Sequence, residues 1–529
     1  MNHTPDAAGP AEATSPRDRW VLAGILVLAA LLRLYKIGQQ SLWTDEVMSI
    51  AMVTQVESGM MYFLHGPLHS VLLQFWSIWY GMADAWTRCL SAAIGVATIP
   101  FVYVLTRRLA GGQVALLGAL LLAISPFHVW YSQEVRNYAL LIGMTAAAQL
   151  LFLRVLEGPT TWKHWLGVGL MSMGLVLTNL AGAFLIAAQG AYLLFARRRL
   201  LAPFVAVNVV AMLLLLPWWL HAQSVANEGA GLVAGGTLRH TNFHPLALPF
   251  ALSVYSVGFT VGPSLNEMNR SLSMELLRPH LWYFVPVALI YGALFLRGWW
   301  RLRGQVGGKL FFFLWLLVPL GITALLAIAN IKVFNPRYAA VAFPAYVLIL
   351  AHGLQGLRRP IQVAALALVI LASGYSLWNH YENPRYWKPD ARSAAAYVNE
   401  RFEAGDCVII YTLEKPFRRY FEGEAELDRV PWAAPTSPER LQAYLEPRLR
   451  ECSRIWLVNY RGWYLDPDRL IEAELGRRWR RLEDRSFVGM DVALFAAPEK
   501  AQGAVPGAAA ENAPGAAPGT APGSPPGTN

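Results

Sequence analysis

Two adjacent acids, Asp45 and Glu46, stand in the stretch Trp43-Thr44-Asp45-Glu46, just beyond the end of a long apolar segment. Carboxylates are costly beside lipid, so this pair must face water, a cavity or a cationic partner. Glu134 and Arg136 follow in Ser132-Gln133-Glu134-Val135-Arg136-Asn137-Tyr138, and Arg337 in Lys332-Val333-Phe334-Asn335-Pro336-Arg337-Tyr338. Arg88 lies at the start of another apolar segment, and His65 precedes Gly66-Pro67-Leu68. A carboxylate pair and several cations presented to one face of a membrane meet the needs of glycosyl transfer from a lipid phosphate. The attacking hydroxyl must lose a proton, for which Asp45 is the candidate base. The leaving phosphate departs already charged, so it needs cations and not an acid.

Each of these residues also has a structural reading. Asp45 and Glu46 would suit the first turn of a helix capped by Thr44. Glu134 and Arg136 could be interfacial anchors, and His65 an ordinary loop histidine. The functional reading gains weight from the shared sidedness of these segments, which depends on the spans that position them.

Those spans follow from composition. Of 529 residues, 55% are hydrophobic and only 15% charged, and apolar runs of bilayer length recur. The expected fold class is a polytopic α-helical membrane protein with about 11 transmembrane helices and a small C-terminal α/β soluble domain. Spans are expected at about 20–37, 88–106, 112–130, 139–156, 163–179, 181–196, 201–221, 280–297, 310–328, 337–355 and 361–379. The apolar stretch from Pro67 to Tyr80 is shorter than a span and reads as an interfacial helix with proline at its start. A semi-apolar patch at 245–262 is not counted as a span.

Basic residues fall in every second connection: Arg107-Arg108, Arg154 with Lys163, Arg197-Arg198-Arg199, Arg297 to Lys309, and Arg358-Arg359. The positive-inside rule then puts the N-terminus in the cytoplasm. It puts 39–87, Ser132 to Tyr138, 222–279, Lys332 to Tyr338 and everything after about Tyr381 outside. The net charge of +10 thus reads as topology control, not as a nucleic-acid footprint. No signal-peptide cleavage site is evident, so the first apolar run is expected to be retained.

Four regions are expected: an unstructured cytoplasmic segment over 1–18, a transmembrane catalytic domain over 19–381, a periplasmic α/β domain over 382–498, and an unstructured Ala/Pro/Gly tail over 499–529. Within the third, helices are expected at 391–403, 438–451 and 466–479, with strands at 407–411 and 454–460 and two more ending near Phe495. No glycine-rich phosphate loop follows its first strand, which argues against nucleotide binding. Cys89 reads as a small buried hydrophobe. Cys407 and Cys452 each begin a predicted strand, and the sequence leaves open whether they pair.

In order along the chain, Trp43-Thr44-Asp45-Glu46, His65-Gly66-Pro67-Leu68, Arg88 with Ser91 and Gly95, Ser132-Gln133-Glu134 with Arg136 and Tyr138, Pro217-Trp218, and Pro336-Arg337-Tyr338 resemble the GT-C glycosyltransferases. The nearest type is that of the protein O-mannosyltransferases and aminoarabinose transferases, in their bacterial forms, over residues 20–380. The resemblance implies a polyprenyl-phosphate-linked monosaccharide donor, inverting transfer, and a lipid, polysaccharide or protein hydroxyl as acceptor, at the periplasmic face of the bacterial inner membrane. It places Asp45, with Glu46 beside it, in the catalytic acidic position. It assigns His65, Arg88, Glu134, Arg136, Tyr138, Arg337 and Tyr338 to the donor phosphate and substrate. Gly66 stands where relatives often carry a second proline, which would loosen that turn. Thr178-Asn179-Leu180 stands where several carry histidine and an aromatic. No acid immediately precedes Gly66-Pro67, so a metal site is not supported, and no cofactor is expected.

Two other classes compete. An oligosaccharide ligase or polymerase would lean on Arg and His more than on an Asp-Glu pair. A lipid or sugar transporter would show paired halves with ionisable residues at mid-membrane; no internal repeat is evident, and the polar residues cluster at span ends.

Overall fold

The computed structural model describes residues 15–54, 66–233, 243–244, 246–270, 274–303, 308–412, 414–430 and 438–498. The candidate His65, the segment 1–14 and the tail 499–529 lie outside these residues. Helix begins at Pro16, inside the stretch expected to be unstructured, because Ser15 caps it: its Oγ accepts the Asp18 N–H at 3.1 Å, with proline in the first turn.

Among the described residues, seven helices are long and apolar enough to cross a membrane: Asp84–Ala110, Tyr138–Glu157, Arg198–Ser224, Glu275–Arg301, Lys309–Ile328, Pro336–Leu354 and Arg359–Glu382. Gly112–Ile124 and Pro126–Ser132 add an eighth if they form one crossing bent by 58°. Three further expected spans are helices of 19, 17 and 15 residues: Pro16–Leu34, Trp162–Thr178 and Gly182–Ala196. The patch at 245–262 contains an 11-residue helix, Ala247–Val257, too short to span. Pro67–Tyr80 is helical as read from the sequence, with Pro67 in its first turn.

The break within the expected 112–130 span has a local cause. Pro126 cannot donate to the preceding turn, and Ser125 starts a new helix by accepting the His128 N–H. The carbonyls released at the break would be costly in an apolar interior. Arg33 covers them: its guanidinium donates to Ala123 O at 2.9 Å, Leu122 O at 3.2 Å and His128 Nδ1 at 2.7 Å. This bend turns the segment Ser132 to Asn137 toward the end of the bundle where the candidate residues gather.

Beyond Glu382 the chain forms a five-stranded sheet: β1 (Asp406–Ile410), β2 (Leu427–Arg429), β3 (Arg454–Asn459), β4 (Arg480–Phe487) and β5 (Met490–Ala496), in the order β2-β1-β3-β5-β4. The β1 strand pairs in parallel with β2 and β3, while β5 is antiparallel to β3 and β4. Alternation along β1 sends Val408 and Ile410 to one core with Ala394, Val398 and Phe417, and Ile409 to another with Leu445, Ile471 and Leu475. The sequence reading missed the helix Glu414–Tyr420 and the short edge strand β2. It did not anticipate how this region is fastened either. Asp84, at the start of a long apolar helix, takes Arg392 at 2.7 Å, Arg419 at 3.0 Å and the Tyr420 hydroxyl.

Cys407 and Cys452 are disulfide-bonded, while Cys89 is free and only half-buried. A cross-link over 45 residues restricts the unfolded chain by about 4 kcal/mol on entropic grounds. Alkylation of the denatured, unreduced protein should therefore label one thiol, and reduction should raise that to three, as read by intact mass.

Candidate active site

Trp43 immediately precedes the helix Thr44–Thr54, and its carbonyl accepts the N–H groups of Glu46 and Val47. Thr44 is therefore inside the helix and not its cap. Glu46 reaches back to the Trp43 N–H at 3.3 Å, as an acid does in a capping box. It does much more. Arg88 grips both its oxygens at 2.8 Å, Lys388 Nζ lies 3.0 Å away, and the Val135 N–H donates at 3.1 Å. Glu46 is 0% exposed. Burial alone would push its carboxyl up, but Arg88 and Lys388 outweigh that and hold it down at about 2.

Arg88 spends its remaining donors on the carbonyls of Ile37, Gln40 and Ser41. A guanidinium has five N–H donors, and all five are engaged. The sequence reading gave Glu46 to catalysis and Arg88 to the donor phosphate. The structure places both elsewhere, in a buried ion pair with nothing left to offer a ligand.

One residue earlier, the helix turns Asp45 the other way. Its Oδ2 meets Arg337 Nη1 at 3.2 Å and Arg136 Nη2 at 3.9 Å, and its side chain is 31% exposed. Arg136 also donates to the Asp45 carbonyl and to Ser49 Oγ, both at 3.3 Å. Arg337 sits on the turn Pro336–Ala342, where the Asn335 side chain accepts the Arg337 N–H at 3.1 Å. The rings of Trp43, Tyr138 and Tyr338 surround its guanidinium at 5.2–5.8 Å. Asp45, Arg136, Tyr138, Lys332, Arg337 and Tyr338 together line a cavity of about 440 Å³, which continues along apolar residues including Val176, Phe184 and Leu326.

Two of the departures from the expected pattern lie at this cavity, at Gly66 and at Asn179-Leu180. Gly66 has φ +81°, and a Cβ there would come within 2.2 Å of the Thr178 carbonyl. The same carbonyl accepts from Asn137 Nδ2 at 2.7 Å, and Asn179 Nδ2 donates to Asn137 Oδ1 at 3.3 Å. Gly66 is thus a close-packed joint, contrary to the loosened turn expected from the missing proline.

Glu134 lies on the far side of Arg337, in a second cavity of about 220 Å³ shared with Trp43, Trp130, Trp387 and Lys388. It is buried, with Oε1 3.2 Å from Lys388 Nζ. Burial pushes its carboxyl up, against the pull of Lys388. Among the described residues, no cluster of three or more His, Cys, Asp or Glu forms a group able to hold a metal ion.

Comparisons with known proteins bear on the fold. Residues 64–221 match the family model for dolichyl-phosphate-mannose-protein mannosyltransferases. The fold superimposes on ArnT from Cupriavidus metallidurans bound to undecaprenyl phosphate, with TM-score 0.60, 15% identity, and coverage of 90% of this chain and 98% of that one. The likeness to this solved structure shows the fold. The chain also superimposes on the Archaeoglobus fulgidus oligosaccharyltransferase in its apo form, at TM-score 0.52 and 14% identity, covering 86% of this chain and 71% of that one. No curated protein matches it.

Lys388 is the residue lining the candidate site that sequence reasoning missed. It follows the last apolar helix at a predicted domain boundary, and its only signal was as the second of two cations in Arg385-Tyr386-Trp387-Lys388. Its partners are 342 and 254 positions away, so no local pattern could reveal them. Breaking a buried pair strands a charge, so Glu46→Ala or Arg88→Ala should cost about 3–5 kcal/mol, measured as a lower unfolding midpoint in detergent. The folded Glu46 value lies below the usual 4.5. Its contribution should be complete above that pH and fade as pH falls toward about 2, a loss absent from Glu46→Gln.

Proposed function

We propose that the protein is an inverting transferase that moves a monosaccharide from a polyprenyl-phosphate donor to an acceptor hydroxyl. The reaction takes place at the periplasmic face of the bacterial inner membrane, with the N-terminus in the cytoplasm and the C-terminal α/β domain over 382–498 outside. The observation that carries this reading is the meeting of Asp45 with Arg136 and Arg337 at one mouth of a partly apolar cavity.

The chemistry follows from the charges. An acceptor hydroxyl gives its proton to an Asp45 oxygen as its own oxygen attacks the anomeric carbon. The bond from that carbon to the phosphate oxygen breaks, and the single displacement inverts the centre. The phosphate leaves with the electron pair and is met by Arg136, Arg337 and Lys332. Because Arg136 and Arg337 already lie beside Asp45, the phosphate they meet sits next to the carboxylate that takes the proton. At this cavity three cations (Arg136, Lys332, Arg337) accompany one carboxylate, Asp45, a surplus of two. A phosphate monoester carries about two negative charges, so the surplus suits a singly phosphorylated leaving group. The apolar wall beyond Arg337 suits the polyprenyl chain. Every step is assigned to a side chain, and none calls for a metal.

Glu46 and Arg88 act on Asp45 through the backbone: they pin the first turn of its helix and the Val135 N–H beside Arg136. They are positioning residues.

Loss of a general base costs about 100-fold or more, so purified Asp45→Asn should lose transfer to that extent while its unfolding midpoint stays near wild type. Full activity in that variant would remove Asp45 as the base. Arg136→Ala should raise the donor KM by about tenfold, the value of one charge-assisted contact, and wild-type rates should persist in a chelator.

A further inference from the structure

Between the helices Pro16–Leu34 and Thr44–Thr54, residues 37–43 run without helix or strand. Backbone carbonyls there have no ladder to join, and burying them unpaired is costly. Five in a row are met by two arginines. Arg88 takes the carbonyls of Ile37, Gln40 and Ser41, and Arg392 takes those of Gly38 at 3.2 Å and Gln39 at 3.3 Å. Arg88 belongs to the apolar helix Asp84–Ala110, whereas Arg392 belongs to the helix Ala391–Asn399 of the sheet region. Two distant parts of the chain thus grip one short segment.

The two grips share an anchor. Arg392 Nη2 donates to Asp84 Oδ2 at 2.7 Å, and Asp84 lies one turn before Arg88 on the same helix. Tyr420, at the end of the helix Glu414–Tyr420, donates its hydroxyl proton to Asp84 and accepts the Leu42 N–H at 3.0 Å. Leu42 is fully buried and shares a cluster with Val47 and Ile50 of the Asp45 helix and with Leu73, Leu90 and Val135. The last two N–H groups before that helix are therefore taken by Tyr420 and by Glu46. More bonds come from the same side: Ser41 Oγ donates to the Pro389 carbonyl at 2.8 Å, and the Lys388 N–H to Gln40 Oε1 at 3.1 Å.

We infer that Arg392 and Tyr420 are positioning residues for Asp45: the sheet region, docked on Asp84, fixes residues 38–42 and through them the start of the helix that presents the carboxylate. What the positioning serves rests on the transferase reading. Arg392 and Tyr420 are not among the residues lining the Asp45 cavity, so they act through the backbone and not on a substrate. The direction of Asp45 is set by the first turn of its helix, and that turn starts from the gripped segment. Displacing a reacting group by about 1 Å costs up to about 100-fold in rate.

Hydrogen–deuterium exchange on the detergent-solubilised full chain reads the grip without requiring turnover. In Arg392→Ala and in Tyr420→Phe, peptides covering 37–54 should exchange about tenfold faster, as expected for the loss of one or two hydrogen bonds. Arg454→Ala serves as the control, because Arg454 bonds to Glu403, Asp406 and the Arg401 carbonyl and not to residues 37–42. It should lower the unfolding midpoint of the sheet region and leave exchange over 37–54 unchanged. Unchanged exchange in both contact variants, or an equal rise in Arg454→Ala, overturns the grip. In the transfer assay, both contact variants should lose about tenfold in kcat while the donor KM stays within about twofold. Added to Asp45→Asn, neither should cost anything further, because a residue that acts through Asp45 then has nothing left to position. A wild-type kcat in both contact variants, or a full further loss on top of Asp45→Asn, overturns the positioning role. A protein that shows the exchange pattern but transfers no sugar keeps the grip and loses the transferase.

Discussion

A single buried carboxylate fixes the geometry on which the site depends. Taking Glu46 and Arg88 out of water costs several kcal/mol per ion, and the attraction between them repays that only when every donor and lone pair is used. Here they are: Arg88 fills five acceptors, and Glu46 collects Arg88, Lys388 and two backbone N–H groups. The consequence is directional. Adjacent residues at the start of a helix point about 100° apart, so locking Glu46 inward turns Asp45 outward, toward Arg136 and Arg337. The acid that is visible to a ligand is set by the acid that is not.

Arg337 is the second hinge of the arrangement. Its guanidinium lies among Trp43, Tyr138 and Tyr338 and contributes to the walls of both cavities. One cation therefore borders both the space proposed for the lipid phosphate and the space that holds Glu134 and Lys388. The aromatic cage holds the guanidinium in place while leaving Nη1 for an anion.

The same logic of satisfying polar groups inside an apolar bundle explains the bent helix. Arg33 is buried and finds its acceptors in the carbonyls freed at Ser125, so the break and the arginine stabilise one another. The bend aims Glu134 and Arg136 at the site. At the same end of the bundle, Asp84 with Arg392 and Arg419, and Lys388 with Glu46 and Glu134, tie the sheet region to the apolar helices. The sheet region is thus joined to the chemistry through the residues that line it.

The amino-acid sequence by itself determined the class of molecule. Bilayer-length apolar runs, the proline-started helix at 67–80 and the alternating pattern of the C-terminal strands are local signals, because burial against lipid or a sheet face is written at fixed periods. The chemically apt residue types, Asp45, Arg136 and Arg337, were likewise legible as polar residues at span ends. What tertiary structure alone decided was which member of each set faces a ligand. Asp45 and Glu46 look equivalent as a pair of letters, and Arg88 looks as available as Arg337, until Lys388 arrives from 342 positions away and the carbonyls of Ile37, Gln40 and Ser41 close around Arg88. Desolvation acts on the environment and not on the residue type, so the division between structural and chemical charges appears only once distant segments meet.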